Sequence, residues 1–427
     1  MTERGGALYW HRLVFVTLMN VAAFAGQVTS GSPPLTWQQT QERFRANNAS
    51  LLAGQVTIAE AQAQEITAFL RPNPDLTFGL DQLTPFNANP YRPVSQAYLY
   101  WNISYLHERQ HKRELRLASA QGATAIASSA QADLVRNLMF NLRDAFVRVL
   151  QARAVVALAK DSLDYYDKVL SINQDRFKAG GIAKVDYQRL ELQRLQFLSD
   201  LQTADVNLQT AKIDLLQLMH DRTPTSQFDV TGNFDFLEPT LRLDDLHTEA
   251  MNSRPDLKEA VQTTAKAKTD YKLAVADGST DPTFSFDAAH QPNPLNTYVG
   301  VSVSIPWRIF DKNQGEKQRT SLDVGRAQKL QDAAETAALH DVDSADATLE
   351  STVNLLRPYK QKYLQEADDI RTTIRYSYEH GAASLLDFLD SENQYRTTRM
   401  SYLNLVGAYL SAANQLNFAV GREVIGE

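Results

Sequence analysis

The residues of this 427-residue chain with the clearest chemical potential are carboxylates set beside glycine turns. Phe177-Lys178-Ala179-Gly180-Gly181-Ile182-Ala183-Lys184-Val185-Asp186-Tyr187 returns 201 residues later as Tyr378-Glu379-His380-Gly381-Ala382-Ala383-Ser384-Leu385-Leu386-Asp387-Phe388. Each copy has an aromatic, a glycine three residues on, an acid six beyond it and a second aromatic. Ser384-Leu385-Leu386-Asp387 fits the S-x-x-D capping box, in which Asp387 complements a helix start. Asp390 is three residues further on, so it shares a helix face with Asp387 but lies too deep to cap. The eight histidines are scattered, and His107 with His111 is the only pair at ligand-like spacing. No histidine-glutamate zincin motif, phosphate loop or nucleophile elbow accompanies them. An enzyme is therefore not expected, nor a cofactor or a metal site, and the histidine pair is expected to mark the polar end of a strand.

Two such turns imply two similar halves rather than a short-period solenoid. The echo extends upstream, where Leu51 after Asn47-Asn48-Ala49-Ser50 matches Leu257 of Arg254-Pro255-Asp256-Leu257. Likewise Asn73-Pro74-Asp75-Leu76-Thr77-Phe78 matches Asp281-Pro282-Thr283-Phe284-Ser285-Phe286. The expected organisation is a signal peptide at 1–25, a first repeat at 26–220, an equatorial connector at 221–243 and a second repeat at 244–427. Each repeat reads helix, strand pair, very long helix, glycine turn and shorter helix, with strand pairs at 74–106 and 282–306 and tips at 178–184 and 379–384.

Arg4, His11 and Arg12, the apolar run Leu13 to Ala25 and the small-residue site Ala23-Phe24-Ala25 carry the secretion reading. That run is shorter than the ~20 residues a spanning helix needs. The chain has no cysteine, so no disulfide framework, thiolate metal site or lipidated cysteine is available. A formal charge of −7 without a basic cluster argues against a nucleic-acid partner.

Alternation with period two marks the strands. Leu76, Phe78 and Leu80 alternate with Thr77, Gly79 and Asp81, and Leu99, Trp101, Ile103 and Tyr105 with Tyr100, Asn102 and Ser104. In the second half Phe284 and Phe286 alternate with Ser285 and Asp287, and Val299, Val301, Val303 and Ile305 with Gly300, Ser302 and Ser304. In an exported chain this matches strands with one face on lipid and one on a lumen, about 10 residues long. Four strands cannot close a barrel, and open edges are not tolerated in lipid, so a membrane reading forces oligomerisation. Three chains would supply twelve strands. The turn-rich segments 85–90 and 291–294 would then be outer loops.

From about Glu108 to Phe177 there is no proline and one glycine, Gly122, so a continuous helix about 100 Å long is expected. Leu142, Val149, Val156, Leu163, Leu170 and Phe177 recur every seven residues, with Leu138, Ala145, Ala152, Ala159 and Tyr166 beside them. Leu190, Phe197, Ala204, Ala211 and Leu218 follow the turn, accompanied by Leu201, Leu208 and Leu215. That period predicts antiparallel coiled-coil packing across Gly180-Gly181. Val342, Leu349, Leu356, Tyr363 and Ile370 repeat the pattern, with Pro358 expected to kink the helix or open a gap in its ladder. Narrow seams on such long helices suit the wall of a water-filled tube, and equally a solvated coiled-coil stalk.

Secretion signal, two strand hairpins, two coiled-coil hairpins and acid-bearing turns together resemble the TolC-like outer-membrane efflux proteins. The resemblance covers nearly all of the mature chain. Its most specific parts are Arg254-Pro255-Asp256-Leu257, Asn73-Pro74-Asp75-Leu76 and the two glycine turns. The run Val303 to Glu316 is similar to the strand-to-helix transition of the CzcC-type cation-efflux branch, whereas Tyr105 to His111 departs from the usual glycine-containing pattern.

The resemblance implies a mainly α fold with membrane β: a homotrimer whose twelve-stranded barrel in outer-membrane lipid is continued by a periplasmic helical barrel. It implies a periplasmic adaptor and an inner-membrane pump of the RND type as partners, and passive export of small molecules or metal cations. The outward strand residues would be Trp101, Ile103, Phe284, Phe286, Val299, Val301 and Val303. The family's periplasmic gate maps onto Asp387 and Asp390, with Asp186 and Tyr378 in the network tying hairpins shut. Three chains would ring the mouth with six carboxylates, favouring cations and raising some carboxyl pKa values through crowding. The family's basic partner between Gly381 and Asp387 is replaced by Ala383, leaving Lys184 or Arg189 as substitutes for its salt bridge. Gly180, Gly181 and Gly381 would make the tip turns, where positive φ is cheap for glycine, and present the adaptor-docking surface. Two other readings stand beside this one: the outer-membrane exit of a type I protein secretion system, and a soluble periplasmic coiled-coil adaptor.

Overall fold

The computed structural model describes residues 33–83, 86, 93–94, 97–290 and 296–426. The expected signal at 1–25 and nearly all of the two outer loops lie outside these residues. Along the chain run α1 (Trp37–Asn47), α2 (Ala49–Phe69), β1 (Asp75–Asp81), β2 (Tyr98–Leu106), α3 (Lys112–Lys178) and α4 (Lys184–Leu218). They are followed by α5 (Leu243–Ser253), α6 (Pro255–Asp277), β3 (Thr283–His290), β4 (Thr297–Ser304), α7 (Gln314–Pro358), α8 (Leu364–Glu379) and α9 (Leu385–Val420). The fold is mainly helical with one four-stranded antiparallel sheet in the order β1-β2-β3-β4.

The molecule is a wall four elements wide at every level. Below the sheet, α2 packs on α3, α3 on α6 and α6 on α7; further down, α4 packs on α3, α3 on α9, and α9 on α7 and α8. The 67 residues of α3 make it about 100 Å long, so it serves both levels. Its heptad residues Leu142, Ala145, Val149, Ala159, Leu163 and Tyr166 are buried as the spacing predicts. A second face is buried too: Phe146 and Leu150 meet Trp37, Phe228 and Val230, while Tyr165 and Val169 meet Tyr378 and Phe388.

The connector crosses the waist, and Val230 forms a parallel bridge with Leu35. Here the Arg254-Pro255-Asp256-Leu257 motif acquires a physical reason. Pro255 opens α6, and Leu257, like Leu51 in α2, is the buried third residue of its helix. The buried Arg254 guanidinium donates to both oxygens of Asp256 at 3.1 and 2.7 Å, to Asp341 at 2.9 Å and to the Ala419 carbonyl at 3.1 Å. Arg136 of α3 lies 3.3 Å from Asp256, donates to the Phe418 carbonyl at 3.0 Å and stacks over the Phe418 ring. Four long helices are thus joined at one charge cluster. Burial pushes the Asp256 carboxyl up, but bonds from Arg254 and the charge of Arg136 outweigh it and hold it below the usual range.

Pro358 itself stays helical, and the regular ladder is interrupted just after it, where the proline leads one to expect a gap. Its angles are helical (φ −62°, ψ −35°), and Tyr359–Tyr363 form a π turn in which the Leu364 N–H reaches the Tyr359 carbonyl. A π turn inserts one residue into an α-helix, and the packed stripe shifts by that one residue. Val342, Leu349 and Leu356 are buried as expected. Below the turn, Leu364, Arg371 and Tyr378 face inward, whereas Tyr363 and Ile370, expected in the seam, stand exposed.

Two outcomes follow. Deleting Lys362, exposed within the π turn, should convert it to α-helix without moving any inward residue and leave the thermal midpoint unchanged or higher. Deleting Ala338, fully buried in regular helix, rotates everything beyond it by about 100° and should lower the midpoint sharply. Separately, Asp256→Asn should cost about 3 kcal/mol at neutral pH, read by denaturant unfolding. Because the folded carboxyl is depressed, its contribution is complete above the ordinary aspartate range and lost as pH falls through the folded value. The gap between variant and parent should therefore close on acidification.

Candidate functional site

The two turns close with the same pair of backbone hydrogen bonds. Gly180 N–H meets the Phe177 carbonyl at 3.0 Å and Gly181 N–H the Arg176 carbonyl at 2.7 Å; Gly381 meets Tyr378 at 3.1 Å and Ala382 meets Ser377 at 2.7 Å. Both are Schellman closures with the residue at C′ left-handed. Gly180 and Gly381 each have φ +76°, which explains why glycine stands there. Gly181 does not: its φ is not in the positive region, and its counterpart is Ala382. The expectation that all three glycines serve positive φ is corrected to two.

Beyond the second turn, Ser384 caps α9. Its hydroxyl accepts from the Asp387 N–H at 3.2 Å, and Asp387 accepts from the Ser384 N–H at 3.1 Å and hydroxyl at 2.7 Å. These bonds hold the Asp387 carboxyl below the usual range, so within one chain it shifts opposite to the crowding expectation. Asp390 is exposed on the same side and accepts from Gln394 at 3.0 Å. Asp186 pairs with Arg189 at 3.6 Å inside α4. Of the two substitute bases, Arg189 therefore makes a contact, but one local to its own helix.

Tyr378 joins the two hairpins. Its hydroxyl donates to the buried Asn173 Oδ1 at 2.8 Å, its ring stacks on Phe388 with centroids 4.8 Å apart, and Arg176 lies over the same ring and donates to the Glu379 carbonyl at 2.6 Å. Burial raises the Tyr378 phenol pKa and keeps it a neutral donor. Ala383 packs against this cluster, so apolar contact occupies the place of the missing base. Two turns deeper along α8, Arg371 is sandwiched between the Tyr165 and Tyr395 rings and bonded to Glu392 at 3.0 Å. Asn173, Tyr165 and Val169 were missed because they recur every four residues, on a face that the heptad of α3 does not mark. A cleft of about 1210 Å³ runs over α3 between α4 and α9, closed toward the tip by the Arg396–Asp200 ion pair.

At the other end, register sorts the sheet into two faces. Leu76, Phe78 and Leu80 align with Ile103, Trp101 and Leu99, and these with Phe286, Ala288 and His290; Phe284, Phe286 and Ala288 align with Val303, Val301 and Val299. Trp101, Ile103, Phe284, Phe286, Val299, Val301 and Val303 are all exposed on this single apolar face, Val301 to 84%. Just below it, Trp307 and Phe310 are 90% and 89% exposed where β4 hands over to α7. Among the described residues the edges of β1 and β4 are unpaired. His107 and His111 do not share a helix: His107 packs beside Phe284 at the strand end and His111 precedes α3 with φ +55°.

Tyr378→Phe keeps the stacked ring but leaves the buried Asn173 oxygen without its donor. It should cost about 1–3 kcal/mol, while Asn173→Leu with Tyr378→Phe should recover part of that loss in a double-mutant cycle read by denaturant unfolding.

Residues 246–422 match the family model described as "Outer membrane efflux protein". The cobalt-zinc-cadmium resistance protein CzcC of Cupriavidus metallidurans is 23% identical over 395 residues, covering 91% of this chain and 90% of that protein. Among solved structures, CusC, described in terms of transmembrane channel formation, has a TM-score of 0.75 at 18% identity, covering 90% of this chain and 92% of the other. The open outer membrane channel MtrE of Neisseria gonorrhoeae has a TM-score of 0.74 at 15% identity, with 93% and 94% covered. The second half of the chain thus carries the outer membrane efflux protein domain, and the chain as a whole has the fold of these channels and is similar along nearly all its length to CzcC.

Proposed function

We propose that three copies of this chain close into the exit duct of a tripartite efflux pump. The carrying observation is that the wall is unpartnered along the same two sides at every level. β1 and β4 end the sheet, α2 and α4 end one side of the helical layers, and α7 with α8 end the other. Unpaired strand edges carrying a lipid-type apolar band are untenable alone in a bilayer, and three such sheets make a twelve-stranded barrel. Trp307 and Phe310 fit an interfacial aromatic belt at its inner rim.

The helical edges support the same closure. On α4, Val185, Leu192, Val206 and Ile213 lie at multiples of seven residues and are all more than half exposed. On the opposite edge Leu355, Tyr363 and Ile370 are exposed. Two unpaired apolar stripes on antiparallel-ready helices fit coiled-coil packing between copies. The signal peptide, the division into two repeats and the connector belong to this reading, with Gly180, Gly181 and Gly381 in the tip surface that meets a periplasmic adaptor and, through it, an inner-membrane pump of the RND type.

At the periplasmic mouth, Asp387 and Asp390 of three chains form the gate, with Asp186 and Tyr378 beside it. Asp387 has a double duty, capping α9 and facing the lumen. The duct is passive and non-enzymatic. Its cargo is a metal cation or a small molecule; the name of the Cupriavidus relative favours cations, as does a carboxylate mouth.

The test is single-channel conductance in planar bilayers, wild type against Asp387→Asn/Asp390→Asn, with polyvalent cations added on the tip side. Small cation-selective openings, blocked by those cations and about tenfold less sensitive in the double variant, are expected. Equal block in both would return Asp387 to helix capping and Asp390 to surface duty, and absence of conductance from folded protein would favour the soluble adaptor.

A further inference from the structure

The polar face of the sheet is graded along its length. Nearest the loops stand Asp81 and Tyr98; the next row is Gly79-Tyr100-Ala289-Tyr298, then Thr77-Asn102-Asp287-Gly300, then Asp75-Ser104-Ser285-Ser302. The aromatic rings are confined to the loop end, and the two rows below carry short side chains, with Asp287 and Asp75 the carboxylates among them. The bulky side chains lean over residues chosen for smallness: a side chain at Gly79 would collide with the Tyr100 ring, and one at Gly300 with the Asp287 carboxylate.

The three tyrosines form one array. Tyr98 and Tyr100 have centroids 5.5 Å apart at 29°, and Tyr98 and Tyr298 6.3 Å apart at 23°, with the Tyr98 and Tyr298 hydroxyls bonded across the buried Ala289. One row below, Asp287 accepts from Asn102 at 3.2 Å. Aromatic girdles of membrane barrels sit on the lipid face, but this array is on the opposite face, so interfacial anchoring does not account for it. Near-parallel phenol rings beside a carboxylate are the components with which proteins bind organic ammonium ions.

Resting on the duct reading, we propose that Tyr98, Tyr100 and Tyr298, with Asp287, form a binding site for bulky organic cations inside the outer end of the lumen. The rings supply cation–π attraction and Asp287 the net charge, while the rows below carry no aromatic ring. In the closed assembly the array repeats three times around the exit, so that this end selects independently of the carboxylates at the periplasmic mouth.

Tetrabutylammonium added on the loop side of reconstituted channels tests the site. In wild type it should reduce single-channel current, more deeply when the voltage drives cations inward from the loops. Replacing all three tyrosines by leucine should raise the half-blocking concentration about tenfold, replacing all three by phenylalanine should leave it within a factor of about two, and Asp287→Asn should weaken it severalfold. A single Tyr298→Leu variant, with a smaller shift, covers the case in which the triple leucine protein does not assemble. Equal block of leucine and wild-type channels, or a conducting wild type that tetrabutylammonium never blocks, overturns the site alone. A folded wild type that does not conduct overturns the duct reading and the site with it.

Discussion

An antiparallel sheet with one predominantly apolar face and, among the described residues, two unpaired edges is the constraint from which the rest of this structure follows. Four strands cannot hide their edge N–H and C=O groups from lipid by curling on themselves. The wall beneath inherits the same width, since α2 leads into β1, β2 into α3, α6 into β3 and β4 into α7. Whatever closes the sheet must also close the helices, because each helical edge lies under a strand edge. The exposed apolar stripes of α4 and α8 are thus the helical counterpart of the unpaired ladders of β1 and β4.

The proposed closure would demand that one periodicity be handed on to another without slippage. The sheet holds its faces by period two, and one residue of slip would exchange Trp101 and Val301 for Asn102 and Gly300. The helices hold theirs by heptads, and there one residue is inserted, in the π turn after Pro358. Proline explains its location: lacking an N–H, it already costs the ladder a bond, so the extra residue is accommodated where regular hydrogen bonding is weakest. The consequence reaches the tip, since the shift places Arg371 and Tyr378 inward in place of Ile370 and Ser377.

Much of this was legible in the residues. Strand faces, glycine turns, the Ser384–Asp387 capping box and the buried stripe of α3 all follow from local rules that act over two to seven residues. The losses have equally local causes. Tyr363 and Ile370 were assigned to the seam because a heptad read through Pro358 has no means of registering a π turn. The second packed face of α3, with Tyr165, Val169 and Asn173, depends on which helix lies alongside, and α9 arrives more than 200 residues later. Gly181 was read as a φ requirement because it stands beside Gly180, yet in a Schellman closure only the C′ position is left-handed. The histidine pair was read as the polar end of a strand, and His107 does follow β2 directly.

The tip also shows what ties its two hairpins together. With Ala383 where the family resemblance places a base, Asp186 turns to Arg189 on its own helix, and the tie between hairpins passes to Tyr378, Asn173, Phe388 and Tyr165. A phenol–amide bond in an apolar cluster is screened little by salt, unlike an exposed ion pair. It also lies within one chain, joining α8 and α9 to α3. In the proposed trimer the two hairpins of each copy would therefore move as one body, and the contacts that give way on opening would be those between copies. In that trimer the charge left to act there would be that of Asp387 and Asp390, one engaged by its helix terminus and the other exposed beside Gln394.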